Sequence, residues 1–497
     1  YCSMHLIDWS EIYRYFDRDG YNLQLYIIDS NANNLLKISS YIHSIGPHRF
    51  ARIYKYFHYQ NDEINHIYNM TSSYLQSSIG AVGFFEDEII GLAHTLENLK
   101  NKVPYADTDL SKKCNYDETP VYIVGNGPSL DNEIEFLKSN KDHFILFSCG
   151  SALGALLKCG IRPDVHIEQE RMLLVKDWIL DAGSLEEIKS IPFIGLNPCH
   201  PYVFNLFDSA YMVMKPADLG EDLFREMDLE YVLANNALPV VGNFALSVAM
   251  LMGFKNIYFV GIDCGMIDAD HHHSKESGYY EIDTEEMNVV KDDLLASGTT
   301  LVKGNFREYV VTTPVYNFSK INLEQLLSLY KPNCHNLSDG AFIEGATPLK
   351  SSDVVFKVLP KNKTQILNDR LKLVFNGDEV VEEEMESQIK KMTRLVLEFI
   401  RFVKEKYSYD LLEYSVVLVT LDEVQKIIAA SEILSRTSYR IIHGTIKGAS
   451  YRLAYAHSHL NEKDYSVFLL DYLRATEELL DKMEYQIKNS LHNYDKF

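Results

Sequence analysis

The segment from Val121 to Leu130, VYIVGNGPSL, constrains the fold more than any other part of this sequence. Four apolar residues typical of a buried strand lead directly into a tight Gly-Asn-Gly-Pro-Ser turn, and a helix-like pattern follows Ser129. Glycine allows close backbone approach, and the amides at the start of a helix attract anions. The segment therefore predicts either a strand–turn–helix unit that holds a phosphate on its backbone amides or an ordinary strand-to-helix turn.

Two familiar phosphate-binding loops do not match this turn. It lacks the Gly-Lys-Ser/Thr ending of an ATP-binding P-loop. The residues after Asn126 do not supply the third glycine of the dinucleotide fingerprint. The sequence thus argues against a P-loop kinase and against a nicotinamide-dependent dehydrogenase.

Strand-like and helix-like runs alternate over residues 116–350, as in a doubly wound parallel sheet of Rossmann-like α/β type. The predicted strands are Val121–Val124, Phe144–Ser148, Val165–Glu168, Phe193–Leu196 and Ile257–Ile262. In such a domain, ligands bind beyond the carboxyl ends of the strands. The residues at these ends are therefore predicted to converge on one crevice: Gly125, Glu168, Asn197 and Asp263.

The regions on either side of this domain differ from it. Residues 1–115 contain short apolar runs such as Leu23–Ile28 and longer ones such as His66–Leu75 and Glu88–Leu99, which predict a small α/β domain. Residues 351–497 predict an α-helical domain. Its helical patterns are Glu379–Lys406, Leu421–Ser435, Tyr439–His457 and Tyr465–Ser490, and its acidic run of Glu382, Glu383, Glu384 and Glu386 stands at a helix start. The run is better explained by the helix dipole than by metal binding.

Composition narrows the function classes. A formal net charge of -22 without a strong basic run disfavours a nucleic-acid partner. Seven scattered cysteines without a CxxC pair argue against a zinc module and a disulfide framework, and favour a reducing cytoplasm. No uncharged apolar run reaches about 18 residues, and no basic segment precedes an apolar core at the amino terminus. Neither a membrane span nor a signal peptide is therefore predicted.

A second constellation runs from Val240 to Gly265, VVGNFALSVAMLMGFKNIYFVGIDCG. It predicts a turn at Gly242 and Asn243, a helix, a short loop near Lys255 and a strand that delivers Asp263. Small residues let a ligand come close to the backbone. Asn243 is predicted either to hydrogen-bond a nucleobase or ribose, or to cap the helix.

A polar loop with three consecutive histidines, His271 to His273, follows this strand, and Ser274 and Lys275 come next. Adjacent residues rarely face one metal together, and the sequence offers no clear distant ligand, so zinc is disfavoured. Imidazole titrates near neutral pH and accepts a proton readily. We expect one of these histidines to act as a general base, the alternative being a solvated loop.

Three pieces in this order, GNGPSL, VGNFALSVAMLMGFKNIYFVGID and HSK, resemble the bacterial sialyltransferases of glycosyltransferase family 42. The whole chain, with NLSDGAFIEGATP at residues 336–348, looks more like the motility-associated factor (Maf) flagellin glycosyltransferases. The resemblance implies a cytoplasmic enzyme that transfers a nonulosonic acid (pseudaminic, legionaminic or sialic acid type) from a CMP-activated donor to Ser or Thr hydroxyls of flagellin, with inversion. It also implies that the helical domain binds flagellin.

The same resemblance assigns roles by motif. The first turn would surround CMP, Gly242 and Asn243 would form a second donor-binding turn, and His273 would be the catalytic base. Lys275, Arg171 or Arg307 would offset the negative charges of the donor. The implied nucleotide-sugar-binding residues are Gly125, Asn126, Gly127, Pro128, Ser129, Glu168, Gly242, Asn243, Asp263 and Lys275.

The sequence departs from the sialyltransferase pattern in two respects. Gly150 and Glu168 stand where that family has ribose-contacting asparagines, and its phosphate-contacting tyrosines have no clear match after Asp263, since Tyr279 and Tyr280 come later. A Mg²⁺ or Mn²⁺ ion bound by Asp263 or Glu168 would compensate for the missing tyrosines. Both acidic residues are therefore candidate metal ligands.

Two alternatives remain open at this point. A distantly similar central domain occurs in archaeal pyrophosphokinases that act on hydroxymethylpterin, which implies ATP- and magnesium-dependent diphosphate transfer. The other alternative is a non-catalytic flagellin-binding chaperone that kept a degenerate nucleotide fold. Nucleotide preference separates the three hypotheses, because only the first calls for CMP.

Overall fold

The computed structural model describes residues 83–266, 274–275, 298–356, 362–377 and 380–489. The chain divides into two compact units: residues 1–82, 406–429 and 443–476 form the first, and residues 83–405, 430–442 and 477–497 form the second. The amino-terminal runs Leu23–Ile28 and His66–Leu75 lie outside the described residues. The three domain boundaries drawn from the sequence stay predictions.

The second unit contains a parallel eight-stranded sheet that confirms the Rossmann-like α/β prediction. Its strands are β1 (Asp117–Val124), β2 (Ile145–Cys149), β3 (Val165–Glu168), β4 (Phe193–Leu196), β5 (Ala210–Val213), β6 (Phe254–Val260), β9 (Asn333–Asn336) and β10 (Ala346–Pro348). An antiparallel pair, β7 (Thr300–Lys303) and β8 (Tyr309–Thr312), stands apart from it. The five strands predicted from the sequence are all present.

The order of the strands, β10-β9-β6-β1-β2-β3-β4-β5, determines where a ligand can bind. From β1 the chain builds β2 to β5 on one side, and then returns to place β6 on the other side of β1. The direction of winding therefore reverses between β1 and β6. In open parallel sheets this reversal leaves a crevice at the carboxyl ends of the two strands, because the connections leave in opposite directions.

Helices connect the strands and cover the sheet. They are α1 (Phe85–Lys100), α2 (Leu130–Asn140), α3 (Ala152–Lys158), α4 (Leu174–Ala182), α5 (Leu185–Lys189), α6 (Pro201–Phe204), α7 (Leu219–Glu226), α8 (Val241–Leu251) and α9 (Pro314–Tyr330). The start of α9 follows from its local sequence. The Thr313 side chain caps the helix by accepting a hydrogen bond from Tyr316 N, and Pro314 occupies the first turn, where a backbone N–H has no intrahelical partner.

The centre of the sheet is apolar on both faces, as covered parallel strands require. Val121 to Val124 of β1 are fully buried. On one face the Tyr122 ring stacks on Phe144 and Tyr258, with ring centroids 3.9 and 4.6 Å apart. Burying aromatic rings of this size contributes about 1.5–3 kcal/mol each. This core fixes the strand ends that form the candidate site.

Polar bonds tie α1 to the end of β4. The Asn98 amide donates to the carbonyls of Asn197 and Cys199 at 3.1 and 3.0 Å. The amide of Asn197 donates in turn to Thr95 Oγ1 at 2.9 Å and to Asp218 Oδ1 at 2.8 Å, just before α7. Asn197 thus links three elements, α1, β4 and α7.

The carboxyl-terminal region is helical, as predicted. Its helices are α10 (Lys363–Val374), α11 (Glu382–Lys406), α12 (Tyr414–Leu434), α13 (Arg436–His459) and α14 (Glu462–Asn489). Glu382 to Glu384 form the first turn of α11, as the dipole argument expects. Within the described residues, no helix combines the length and apolar character that a membrane span requires.

In the second unit, α7 holds the first turn of α13. Asp222 is almost fully buried and accepts hydrogen bonds from Arg436 Nε at 3.2 Å and from Arg440 Nε. Glu226 Oε1 accepts from Thr437 N at 3.0 Å and from Ser435 Oγ at 2.9 Å. Two acidic residues of one helix therefore neutralise the cations and cap the amides at the start of another.

Candidate functional site

A cleft opens at the carboxyl ends of β1, β2 and β6, where the sheet topology predicts it. It is lined by residues 125–127 after β1, 149–151 after β2, 240–242 at the start of α8, 261–265 after β6, and Tyr316 of α9. Of the four residues predicted to converge on one crevice, Gly125 and Asp263 line this cleft, and Glu168 and Asn197 do not. Asn126, Gly127 and Gly242 of the two glycine turns line it as well. The sequence did not predict the contribution of α9, because nothing near Tyr316 in the sequence connects it with the glycine turns.

The glycines of the two turns allow the backbones after β1 and β6 to pack against each other. Gly125 N donates to Val260 O and Gly127 N donates to Gly261 O, both at 2.9 Å. A Cβ atom on Gly125 would lie 2.6 Å from Gly261 O, and one on Gly261 would lie 2.3 Å from Gly125 O. Only glycine fits at this crossing, so these residues shape the site through the backbone.

Asp263 seals the far end of the first turn. Its Oδ2 accepts hydrogen bonds from Ser129 Oγ at 2.9 Å and from Ser129 N at 3.3 Å. The same oxygen occupies the space that a side chain at position 127 would need, so Gly127 must be glycine. Burial raises the pKa of Asp263 to about 7, against the lowering effect of the two Ser129 bonds. The carboxyl group thus occupies the anion position at the start of α2.

This arrangement differs from the exposed amides expected from the sequence. The N–H groups of Gly125, Gly127 and Ser129 all donate within the protein. The turn therefore holds its shape with the amides that were expected to hold a phosphate. Pro128 is half-buried behind the cleft, and its carbonyl accepts Asp131 N at 3.3 Å.

The start of α8 is the part of the cleft with available amides. Val241 and Gly242 are the first two residues of the helix, and Val240 precedes it in an extended conformation. In the described chain neither Val241 N nor Gly242 N has a hydrogen-bond acceptor, since the first amides of a helix have no intrahelical partner. Helix starts of this kind bind anions through N–H groups and the helix dipole.

Asn243 lies inside this helix, and its side chain is bonded to α9. It is fully buried; its Nδ2 donates to Ser319 O at 2.8 Å and its Oδ1 accepts from Ser319 Oγ at 2.7 Å. Val240 occupies the N-cap position of α8, so the prediction that Asn243 caps this helix is wrong. Both ends of its amide connect α8 to α9.

Asn126 is the polar side chain of the first turn that lines the cleft. Its Nδ2 donates to Ser151 Oγ at 2.9 Å, across the gap between the ends of β1 and β2. Gly150, beside Ser151, has a positive φ of 52°, which suits glycine. These residues form the wall on the β2 side.

Glu168 stands at the end of β3, behind this wall. Its Oε1 accepts from Gln169 N at 2.7 Å and from Glu170 N at 3.1 Å, and burial raises its pKa to about 7. A Cβ on Gly150 would lie 3.5 Å from Glu168 Oε2. The side chain therefore supports Gly150 and does not line the cleft.

Other residues selected from the sequence lie elsewhere. Asn197 is committed to the α1–β4–α7 link described above. Arg171 pairs with Asp87 of α1 at 2.5 Å, and Arg307 forms a two-pronged pair with Asp339, with its closest contact at 2.7 Å. Both arginines are occupied by carboxylates.

The three histidines at 271–273, together with Tyr279 and Tyr280, lie outside the described residues. The two residues that follow the histidines are described. Ser274 N donates to Asn126 O at 2.9 Å, and exposed Lys275 donates its N–H to both oxygens of Asp131 at 3.2 Å. The His-Ser-Lys motif is thus tied at its end to the first glycine turn.

Metal binding has little support from the described side chains. In the parts of the chain that the structure describes, no three His, Cys, Asp or Glu residues are grouped to hold an ion. Asp263 and Glu168 each accept two hydrogen bonds on one oxygen. The donor set of the described residues does not fit a metal centre.

Replacing Asp263 with asparagine (Asp263→Asn) is expected to raise the free energy of unfolding relative to wild type by about 2 kcal/mol at pH 8, and by less at pH 5. Because burial raises the pKa of the folded carboxyl to about 7, the wild type loses stability as pH rises from about 4 to about 7. Asparagine still accepts from Ser129 and does not ionise. Denaturant unfolding at both pH values checks this, and an equal difference at both would contradict it.

The parallel sheet, with a glycine-lined cleft at its reversal point, defines a Rossmann-like α/β domain. Residues 1–78 match the family model of the glycosyltransferase Maf N-terminal domain. The structure also has the fold of the Maf glycosyltransferase from Magnetospirillum magneticum AMB-1, with a TM-score of 0.76 and 20% identity over 100% of this chain and 74% of that one. These findings, one in sequence and one in fold, confirm the resemblance to the Maf glycosyltransferases.

Other comparisons are less direct. Residues 93–269 match a family model described as 6-hydroxymethylpterin diphosphokinase MptE-like. The sialyltransferase CstII from Campylobacter jejuni, in complex with cytidine-5'-monophosphate, matches with a TM-score of 0.28 and 16% identity over 51% of this chain and 98% of that one. A CST-II complex with a trisaccharide acceptor and CMP gives 0.26 and 18% over 51% and 99%. TM-scores this low do not establish a common overall fold. No curated protein matches the sequence.

Proposed function

We propose that this chain is a cytoplasmic glycosyltransferase that moves a nonulosonic acid of the pseudaminic, legionaminic or sialic acid type from a CMP-activated donor to Ser or Thr hydroxyls of flagellin, with inversion. The observation that carries the proposal is the cleft at the reversal point of the sheet, built from two glycine turns and the start of α8. The match of residues 1–78 to the Maf N-terminal domain supports it, since a nucleotide cleft alone does not select a reaction.

The donor phosphate is proposed to sit at the start of α8. Two available N–H groups, on Val241 and Gly242, point the positive end of an 11-residue helix at the cleft. A Cβ atom on Gly242 would lie 2.8 Å from Ile262 Cδ1, so glycine at this position lets the start of α8 lie against the segment that follows β6. These donors are fixed before the reaction, so they stabilise the charge that accumulates on CMP as it leaves.

His273 is proposed as the general base. It takes the proton of the acceptor hydroxyl while the hydroxyl oxygen attacks the anomeric carbon from the face opposite CMP. The bond from that carbon to the phosphate oxygen breaks, and CMP leaves with the bonding electrons. An imidazole suits this step because it titrates near neutral pH. The anchoring of Ser274 on Asn126, which lines the cleft, supports a role for the motif.

The charges of the residues that line the cleft limit how an anionic donor can be held. Within the described chain, none of the residues that line the cleft is Lys or Arg, while Asp263 is acidic. An anionic donor would therefore depend on backbone amides at its phosphate, and on Lys275 or a divalent cation that it carries for its remaining negative charge. A Mg²⁺ or Mn²⁺ requirement stays a proposal. Since Asp263 and Glu168 do not form a metal centre, such an ion would be held mainly by the donor phosphate.

Titration calorimetry of the purified protein with CMP, UDP, GDP and ATP, each with and without Mg²⁺, tests the proposed class. Selective binding of CMP supports transfer of a nonulosonic acid. Preference for ATP with Mg²⁺ would reject it in favour of the diphosphokinase. No nucleotide binding, together with retained flagellin binding, would favour the chaperone.

Replacing Val241 with proline (Val241→Pro) is expected to weaken CMP binding about tenfold, because it removes one hydrogen-bond donor to a charged group. Proline is tolerated at the first position of a helix, and Val240 already has the extended backbone that precedes proline, at φ -112° and ψ 155°. The melting temperature is therefore expected to stay close to that of wild type. Calorimetry and thermal unfolding measure the two effects.

Val241→Ala is the matched control, since it shortens the same side chain and keeps the N–H. Its CMP affinity should stay near wild type. If Val241→Pro binds CMP as tightly as Val241→Ala does, the phosphate does not bind to this amide, and the start of α8 is not the phosphate-binding site.

A second function, ATP-dependent diphosphate transfer to a hydroxymethylpterin-type alcohol, is favoured by one observation, the match of residues 93–269 to the MptE-like model. That match covers the sheet core and both glycine turns. Release of AMP from ATP in the presence of 6-hydroxymethylpterin and Mg²⁺ would support it. Flagellin-dependent release of CMP from a CMP-nonulosonic acid would instead support glycosyl transfer.

A further inference from the structure

Three hydrogen bonds to one carboxylate hold residues 274–275 against the first turn of α2. Asp131 Oδ1 accepts from Ser274 Oγ at 2.5 Å, and Lys275 N lies 3.2 Å from each of the Asp131 oxygens. On the other side, Ser274 N donates to Asn126 O at 2.9 Å, and Ser274 is fully buried. The two residues are therefore fixed to both the glycine turn and the helix that follows it.

The role of Asp131 goes beyond complementing the helix dipole. An acidic residue in the first turn of a helix is common, and its interaction with the dipole contributes about 0.3–1 kcal/mol at the surface. Here both carboxylate oxygens accept from groups 143 and 144 residues further along the chain. Hydrogen bonds to an ionised acceptor are shorter and stronger than neutral ones. The side chain thus acts as a connection between two distant segments.

We propose that Asp131 is a positioning residue that keeps the His-Ser-Lys motif in register with Asn126 and the nucleotide cleft. The inference rests on the proposed function, in which His273, directly before Ser274, is the base. A general base must stay within hydrogen-bond reach of its proton, and small losses of alignment cost large factors in rate. The CMP phosphate is proposed to sit on the amides of Val241 and Gly242, so loosening this connection lowers kcat and leaves the affinity for CMP unchanged.

The test compares Asp131→Ala, Asp131→Asn and wild type in the full-length protein. Release of CMP from CMP-pseudaminic or CMP-legionaminic acid in the presence of flagellin gives kcat, and calorimetry gives the Kd for CMP. Asp131→Ala is expected to lower kcat on the order of tenfold, the factor that corresponds to one charge-assisted hydrogen bond, with Kd unchanged. Asp131→Asn should lose less, because its amide oxygen still accepts from Ser274 or Lys275.

Glu135→Ala is the matched control. Glu135 is an exposed carboxylate on the same helix, and its removal should change neither kcat nor Kd. A second measurement needs no substrate: amide hydrogen exchange at Ser274 and Lys275 should be faster in Asp131→Ala than in wild type. Unchanged exchange would show that Asp131 does not hold the segment and would overturn the inference.

Combination with His273→Ala separates this inference from the proposed function. If Asp131 acts through His273, adding Asp131→Ala to His273→Ala lowers kcat no further. Wild-type kcat in Asp131→Ala, beside a large loss in His273→Ala, would refute the inference alone, as would a weaker Kd for CMP. Full turnover in His273→Ala would refute the proposed base, and the positioning role with it.

Discussion

Replacing Gly261 with alanine (Gly261→Ala) is expected to destabilise the protein by more than about 3 kcal/mol and to abolish nucleotide binding. The new methyl group would lie 2.3 Å from the carbonyl oxygen of Gly125 and 3.1 Å from its carbonyl carbon. Both atoms belong to the backbone and cannot rotate away. Gly261 also has a φ of 63°, which strains any residue with a side chain. Denaturant unfolding and nucleotide titration measure the two effects.

Gly154→Ala provides the matched control for this change. Gly154 lies in α3, and a methyl group there would be 3.7 Å from Ala182 Cβ, an ordinary contact. Because alanine favours a helix over glycine by up to about 1 kcal/mol, this variant should be as stable as wild type or more so. If Gly261→Ala unfolds at the same denaturant concentration as Gly154→Ala, the two turns are not packed as described.

Replacing Asp222 with alanine (Asp222→Ala) is expected to lower the free energy of unfolding by about 3 kcal/mol. Asp222 is 1% exposed and accepts from two guanidinium groups, those of Arg436 and Arg440. Removing it leaves both cations beside each other without their shared counter-ion, which costs more than the loss of the pair itself. Chemical denaturation followed by circular dichroism measures the change.

The exposed pair between Glu386 and Lys390 is the control, because the two side chains are 50% and 77% exposed and are screened by water. Glu386→Ala should change stability by less than about 0.5 kcal/mol. A similar effect for Asp222→Ala would mean that its buried ion pairs contribute no more than a surface pair does.

The sequence predicted the framework well because its signals are local. The run before Gly125 and its counterpart before Gly261 are apolar enough to require burial on both faces, and the long helices of the carboxyl-terminal region follow from their periodicity. The crevice followed from topology, since parallel strands end on the same edge of a sheet. Residue type and spacing along the chain were sufficient for these features.

The details of the site depend on partners that are distant in the sequence. The amides of the first turn were expected to be open, but Ser129 finds Asp263 134 residues away. Asn243 was expected to contact a ligand or to cap its helix, but Ser319, 76 residues away, takes both ends of its amide. A single sequence identifies polar residues near a turn. It does not identify which of them will already be satisfied by another element.

The α7 helix has a consequence for how this protein can be divided into pieces. One of its ends begins beside Asp218, which binds Asn197 at the edge of the sheet, and its other end neutralises and caps the start of α13 through Asp222 and Glu226. A shortened protein that stops at residue 377 would lose the partners of both carboxylates and expose the surface of α7 that the start of α13 covers. The Rossmann-like domain and the start of α13 are therefore expected to fold as one cooperative unit, and a chain boundary placed between them would divide that unit.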